Sequence, residues 1–229
     1  MVDVSRIDTI KEAVARWREL EVRTLLAESA IAIGAGSPID AGVAWTLPTE
    51  AESPITLAGG IPDPPTLPVD HLREALGGVL ASAPDEALKY GGVQGFEGLR
   101  EVLGQRQSRL DGVALGLDNF VITTGSAGGI DTVCDAFLEP GDVVIVERPS
   151  FSGSMRTMRG HEAEIVSVPM DQQGVQVSGV AKAIERAEAS GKRVKLFYTI
   201  TDFHNPTGVT MSLERRKELV RLCAEHRVV

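Results

Sequence analysis

An α/β fold with a mainly parallel sheet is predicted by three features of the 229-residue sequence. From Asn119 onward, short apolar runs alternate with amphipathic stretches. Strands separated by helices need crossover connections, and crossovers make neighbouring strands parallel. Three strand ends carry unusual chemistry: Gly125-Ser126-Ala127-Gly128, Pro149-Ser150-Phe151 and Asn205-Pro206-Thr207-Gly208. In sheets of this kind ligands bind outside the carboxyl ends of the strands, so these ends would share one edge. Finally, 43% of the residues are hydrophobic, near the globular average and enough to bury a core.

The elements follow in order. Residues 4–28 read as an amphipathic helix, with Ile7, Ile10, Val14, Trp17, Leu20 and Leu25 at helical spacing. Residues 33–66 are rich in Gly, Pro and Ser, densest in "AGGIPDPPTLP", and read as a long irregular segment. The division expected is therefore an N-terminal helix and arm, 1–66, and the first part of a globular body, 67–229. Helices are predicted over residues 69–82 and over "GFEGLREVLGQRQSRL". Strand "FVITT" leads through "GSAGG" into a helix ending at Phe137. Strand "DVVIVE" leads through "RPSF" into a helix from Ser152, and "AEIVSVP" leads into the helix "VSGVAKAIERAEAS". Strand "VKLFYTI" meets the polar turn "HNPTG" and then the helix "LERRKELVRLCAEH". The closing "HRVV" reads as the start of a further central strand.

Composition narrows the function. A formal net charge of −9, with Lys and Arg dispersed, argues against nucleic acid as a main partner. No apolar run approaches the roughly 20 residues that span a bilayer. Cys134 and Cys223 lie in apolar helical patterns and read as free thiols. With no signal peptide, a cytoplasmic setting is expected.

Each strand end admits two readings. "TTGSAGG" is either a tight strand-to-helix turn with a Ser cap, or a cradle whose exposed N–H groups hold an anion. It matches neither a dinucleotide fingerprint nor a P-loop. Phe151 is either a core residue at a helix start or a ring stacked on a flat heteroaromatic ligand. "HNPTG" is either an Asn-Pro turn or a turn that aims the Asn205 amide at a ligand oxygen. Taken together the three suggest one ligand, a flat ring bearing a phosphate and an oxygen substituent.

At this point the sequence resembles the fold type I pyridoxal 5′-phosphate enzymes of the aspartate aminotransferase superfamily, most nearly the 2-aminoadipate aminotransferase and MocR-like branch. The resemblance runs from about Ile55 to Val229 and is carried by "ITLAGGIPDPPTLP", "LKYGGVQGFEGLREVL", "FVITTGSAGGIDTVCDAFLEPGDVVIVERPSFSG" and "FYTITDFHNPTG". It implies a three-layer α/β/α large domain, incomplete in this chain. It implies that Gly125, Ser126 and Ala127 hold the cofactor phosphate, although the family commonly has Gln at the Ala127 position. It implies that Phe151, where the family usually has Tyr, stacks on the pyridine ring. Asn205 would bond the ring's phenolic oxygen and border the substrate. Gly59 and Gly60 would line the substrate pocket, and Tyr90 would reach the phosphate of a neighbouring subunit. The active sites of a homodimer would then be shared. Cis peptides are expected before Pro149 and Pro206.

The activity implied is transfer of an amino group between an amino acid and a 2-oxo acid. Alternatives on the same scaffold are a lyase, a decarboxylase, a synthase, or a regulatory domain that binds the cofactor without turnover. The resemblance also requires a Schiff-base Lys, an Asp for the pyridine nitrogen and an Arg for the substrate carboxylate. All three are expected beyond Val229, in cis or on a second chain. The six lysines present, Lys11, Lys89, Lys182, Lys192, Lys195 and Lys217, read as surface charges. By the same resemblance, the strand over residues 119–124 pairs with a strand from later in the chain and has no neighbour here.

Overall fold

The computed structural model describes residues 26–28, 30–31 and 62–229. The predicted N-terminal helix lies almost wholly outside the described residues, as do Gly59, Gly60 and most of the irregular segment. The described body falls into two compact units, one containing residues 134–229 and the other residues 62–133.

In the second unit, helix α1 (Val69–Ser82) has the predicted bounds. A short helix, α2 (Pro84–Leu88), follows with Pro84 in its first turn, where the missing N–H breaks no intrahelical bond. Helix α3 (Glu97–Asp111) ends at Gly112, whose φ of 68° closes the helix in the left-handed conformation and lets its N–H bond Ser108 O. Helix α4 (Gly125–Phe137) begins in this unit and ends in the other.

Residues 120–124 depart from expectation: they form no strand. Phe120 is extended, at φ −130° and ψ 134°, and the Ile122 N–H bonds Gln94 O in a loop at 2.9 Å. A strand exists only through its ladder with a neighbour, and among the described residues none lies alongside this segment.

The first unit is built on four strands, β1 (Val143–Arg148), β2 (Glu164–Asp171), β3 (Gly174–Val175) and β4 (Val194–Tyr198). Their order is β3-β2-β1-β4. β1 pairs in parallel with β2, Val143 opposite Glu164, and with β4, Val144 opposite Leu196. β3 was not foreseen. It pairs antiparallel with β2 across the tight turn at Gln172-Gln173, so the sheet is mixed, with parallel pairs dominating. On the far side of β4, Val229 N–H bonds Lys195 O at 2.9 Å and Phe197 N–H bonds Val229 O at 2.8 Å. "HRVV" therefore begins to pair as a strand, as its pattern predicts.

Helices α5 (Ser152–Gly160), α6 (Val177–Ala189) and α7 (Leu213–His226) complete the unit. α6 buries Val177, Val180, Ala183, Ile184 and Ala187, the one-sided spacing of an amphipathic helix. α7 starts where the Ser212 hydroxyl accepts from Arg215 N, a side-chain N-cap. The core joins Val143, Ile145, Val168, Val180, Ile184, Val194, Met211 and Leu219. Cys134 is buried and Cys223 partly so, and the two are not joined to each other. Burial pushes the Cys223 thiol pKa up. Among the described residues no helix is long and apolar enough to cross a membrane, and no group of three or more His, Cys, Asp or Glu is placed to hold a metal ion.

Candidate active site

Two of the three predicted strand ends lie on one edge. β1 and β4 are parallel neighbours, so the segments after Arg148 and after Tyr198 leave the sheet on the same side. Both X–Pro peptides there, Arg148–Pro149 and Asn205–Pro206, are cis as expected. The third stretch, Gly125-Ser126-Ala127, opens α4 rather than following a strand. Gly125 sits at φ 67°, a conformation that favours glycine. The first N–H groups of a 13-residue helix have no intrahelical acceptor and carry the positive end of its dipole.

Phe151 caps the N-terminus of α5 in an extended conformation, and the residue is 41% exposed. The ring lies against the helix backbone at Gly153. A Cβ added there would come 2.7 Å from Phe151 Cε1 and 2.9 Å from Cζ, so the missing side chain makes room for the ring. Beside it, Ser150 Oγ is buried without a hydrogen-bond partner.

The turn after β4 is a narrow loop. Met211 N–H bonds Thr201 O at 2.8 Å, His204 N–H bonds Val209 O at 2.8 Å and Gly208 N–H bonds His204 O at 2.6 Å. Asn205-Pro206-Thr207-Gly208 is the tip, and Asn205 is exposed. Phe203, just before it, has φ 48°, which is uncommon for a bulky residue. Arg216 braces the loop's base from α7, donating to Met211 O at 2.9 Å, Thr201 O at 3.0 Å and both Asp202 carboxylate oxygens. The guanidinium holds the Asp202 carboxyl below its ordinary range, helped by the Thr201 hydroxyl.

The sequence reading missed what lies beneath this loop. Glu147, the last buried residue of β1, and His204 are each only 1% exposed. The Glu147 carboxylate accepts from Thr199 Oγ1 at 2.9 Å and from Ile200 N–H at 3.1 Å. His204 Nε2 lies 3.0 Å from Glu147 Oε2, off the hydrogen-bonding line, and Nδ1 lies 2.9 Å from Thr207 Oγ1. The sequence did hold a signal: "VVIVE" ends an otherwise apolar buried run on a carboxylate, and such a group needs partners.

The remaining predicted residues fall elsewhere. Tyr90 belongs to the unit of residues 62–133 and its side chain is fully exposed, beside Gly91, Gly92 and Phe96 in a shallow cleft. Lys195 is not the freely solvated charge expected: it is half-buried, 3.5 Å from Asp142 and donating to Phe137 O. A cleft of about 500 Å³ between β2 and α6, lined by Ser167, Gln176, Lys182 and Arg186 among others, shares only Arg148 with the strand ends described above.

A stacking ring and an amide on neighbouring strand ends suit a flat heteroaromatic ligand with an oxygen substituent, and the start of α4 has the chemistry to take a phosphate. Residues 54–229 match the model of the family "Aminotransferase class I and II". The chain is 34% identical over 177 residues to aromatic-amino-acid aminotransferase 1 of Thermococcus litoralis, covering 77% of this chain and 42% of that protein. It is similar in structure to Pyrococcus horikoshii kynurenine aminotransferase, solved with PMP, with TM-score 0.78 and 30% identity over 91% of this chain and 50% of that one. The alpha-aminoadipate aminotransferase of Thermus thermophilus, solved with N-(5′-phosphopyridoxyl)-L-leucine, gives TM-score 0.74 at 27% identity, covering 92% of this chain and 49% of that one. The chain spans less than half the length of the curated relatives it matches. With three quarters of its residues inside the family's pattern and the same α/β architecture, this chain belongs to the class I and II aminotransferases.

Proposed function

We propose that the protein carrying this chain is a pyridoxal 5′-phosphate-dependent aminotransferase acting on an amino acid and a 2-oxo acid, and that these residues form much of its cofactor seat. The observation that carries the reading is that the segments bearing Phe151 and Asn205 leave adjacent parallel strands on the same edge, within residues that match the family. Phe151 offers a ring face for stacking. Asn205 offers an amide donor to a ring oxygen that carries negative charge. Gly125, Ser126 and Ala127 offer backbone N–H groups to a phosphate. Tyr90, fully exposed in a single chain, is free to serve the site of a second subunit in a homodimer. Gly59 and Gly60 would line the substrate pocket. When bound, the cofactor supplies an electron sink for the bond broken at the amino-acid Cα; the chain's share is binding, orientation and charge.

The test uses the full polypeptide that contains these residues. It should bind pyridoxal 5′-phosphate with a new absorbance band. Asn205→Ala and Phe151→Ala should each weaken binding by about tenfold, the loss of one charge-assisted hydrogen bond or one stacked ring. Exchange of the amino group should depend on added 2-oxo acid. Cofactor turnover without that dependence would replace this reading with a lyase or decarboxylase, and no binding at all would remove it.

A further inference from the structure

We propose that Glu147 and His204 are positioning residues: a buried pair that locks the base of the Asn205 loop to β1 and so sets where the Asn205 amide points. The inference rests on the cofactor reading of Asn205 given above.

Two ionisable side chains at 1% exposure, on or beside a strand whose other buried residues are all valine and isoleucine, are costly for stability alone. Apolar residues of similar volume would serve a core as well or better, and buried ionic groups are best understood where they specify one geometry. Here the geometry they specify is that of the loop. Glu147 reaches across from β1 to the first residues after β4, accepting from Thr199 Oγ1 and Ile200 N–H. The same carboxylate faces His204 Nε2 at 3.0 Å. The other ring nitrogen, Nδ1, meets Thr207 Oγ1 at 2.9 Å, and that hydroxyl also accepts from Val209 N–H at 3.3 Å. Nε2 faces the carboxylate at 3.0 Å as a close polar contact and not a linear hydrogen bond, while Nδ1 meets the Thr207 hydroxyl, whose oxygen takes the Val209 N–H. The imidazole thus ties the outer limb of the loop, Thr207 to Val209, to the sheet. His204 also holds the loop through its own backbone, by the His204–Val209 and Gly208–His204 bonds. Asn205 is the next residue, at the tip and without burial of its own, so its direction is inherited from this base. Phe203 at φ 48° fits the same picture, a backbone held in a sparsely populated region by surroundings that over-determine it.

The test is made in the full polypeptide loaded with pyridoxal 5′-phosphate, reading the pH midpoint of the bound cofactor's absorbance change, with the thermal unfolding midpoint as a control for folding. Asn205→Ala should raise the absorbance midpoint by about one pH unit or more, since one unit corresponds to the loss of a single modest hydrogen bond to the charged form. Glu147→Gln and His204→Asn should raise it in the same direction by about half a unit or more, less than Asn205→Ala because Asn205 is retained. The double variant His204→Asn/Asn205→Ala should sit where Asn205→Ala alone sits, the non-additivity expected when one residue acts through the other. Should either buried variant fail to fold, Thr207→Val on the exposed tip removes the Nδ1 partner and should shift the midpoint the same way. If the buried variants fold and lower the unfolding temperature but leave the absorbance midpoint unchanged, the pair is structural only and the proposal is overturned. Fully additive shifts overturn it as well. If Asn205→Ala itself causes no shift, the cofactor reading of Asn205 fails and takes this inference with it. A shift for Asn205→Ala but none for the buried variants or Thr207→Val leaves that reading standing and removes only the pair.

Discussion

Single side chains at the start of α7 decide how the irregular segments close. Arg215 donates from Nη1 and Nη2 to both Asp171 oxygens, at 2.6 and 2.7 Å, and to Gly174 O and Val175 O. It holds the β2–β3 hairpin to the helix. Arg215→Met should lower stability by about 1–2 kcal/mol, mainly from the two carbonyls left without this donor, and denaturant unfolding would read it. Asp171 adds a pH signature. The bond from Arg215, then that from the Gln173 N–H, holds its carboxyl below the ordinary value of 3.8. A carboxyl whose folded pKa is depressed contributes stability that is complete above the ordinary value and is lost as pH falls through the folded one. Acid titration of the unfolding midpoint should therefore show a loss beginning as pH drops below about 4, and Asp171→Asn should remove that part of the slope. An unchanged slope in Asp171→Asn would show that the ion pair does not form in solution.

The helices whose bounds were readable are those with strong periodicity or a clear end. α1 and α7 match the sequence prediction at both ends. β3 and α2 were not readable, because a two-residue strand and a single helical turn carry too little pattern to stand out. Residues 120–124 were over-read, since β propensity records how a segment fits a sheet and cannot supply the neighbouring strand. The β2–β3 turn supplies an element-level prediction. Gly174 has φ 102°, and a Cβ there would sit 2.7 Å from Met211 Cγ and 3.1 Å from Met211 Cα. Gly174→Ala combines backbone strain with a contact against backbone that has little room to give, and should cost about 2–3 kcal/mol. A variant as stable as the parent in urea would mean the hairpin is not seated against Met211.

Across the molecule the two units differ in how they are held together. The unit of residues 134–229 contains most of the buried apolar residues, among them Ile145 at 0% exposure. In the other unit α1 buries no residue, and Val69, Leu72, Leu76 and Val79 stay between 47% and 64% exposed along one stripe. Ile145→Ala should therefore destabilise the isolated 229-residue chain by about 2–5 kcal/mol, whereas Leu76→Ala should change it by no more than about 0.5 kcal/mol. A large loss on Leu76→Ala would show that the α1 stripe is covered in solution. The fold class, the dominance of parallel pairing and the strand ends bearing Phe151 and Asn205 could all be read from the sequence. Hydrophobic periodicity and turn chemistry are local in sequence, and they point to ligand chemistry at the sheet edge.

What the sequence determined alone was the α/β alternation and the helix stops, because each depends on neighbours within a turn or two of chain. Only the tertiary structure decided which segments became strands, since a ladder needs a partner that local sequence does not name. It also decided the fate of two polar side chains. Glu147 and His204 lie far apart in sequence and read separately as a strand end and a polar turn. Folding buries both and brings them within 3.0 Å, where the need of each buried charge or dipole for a partner ties the Asn205 loop to the sheet.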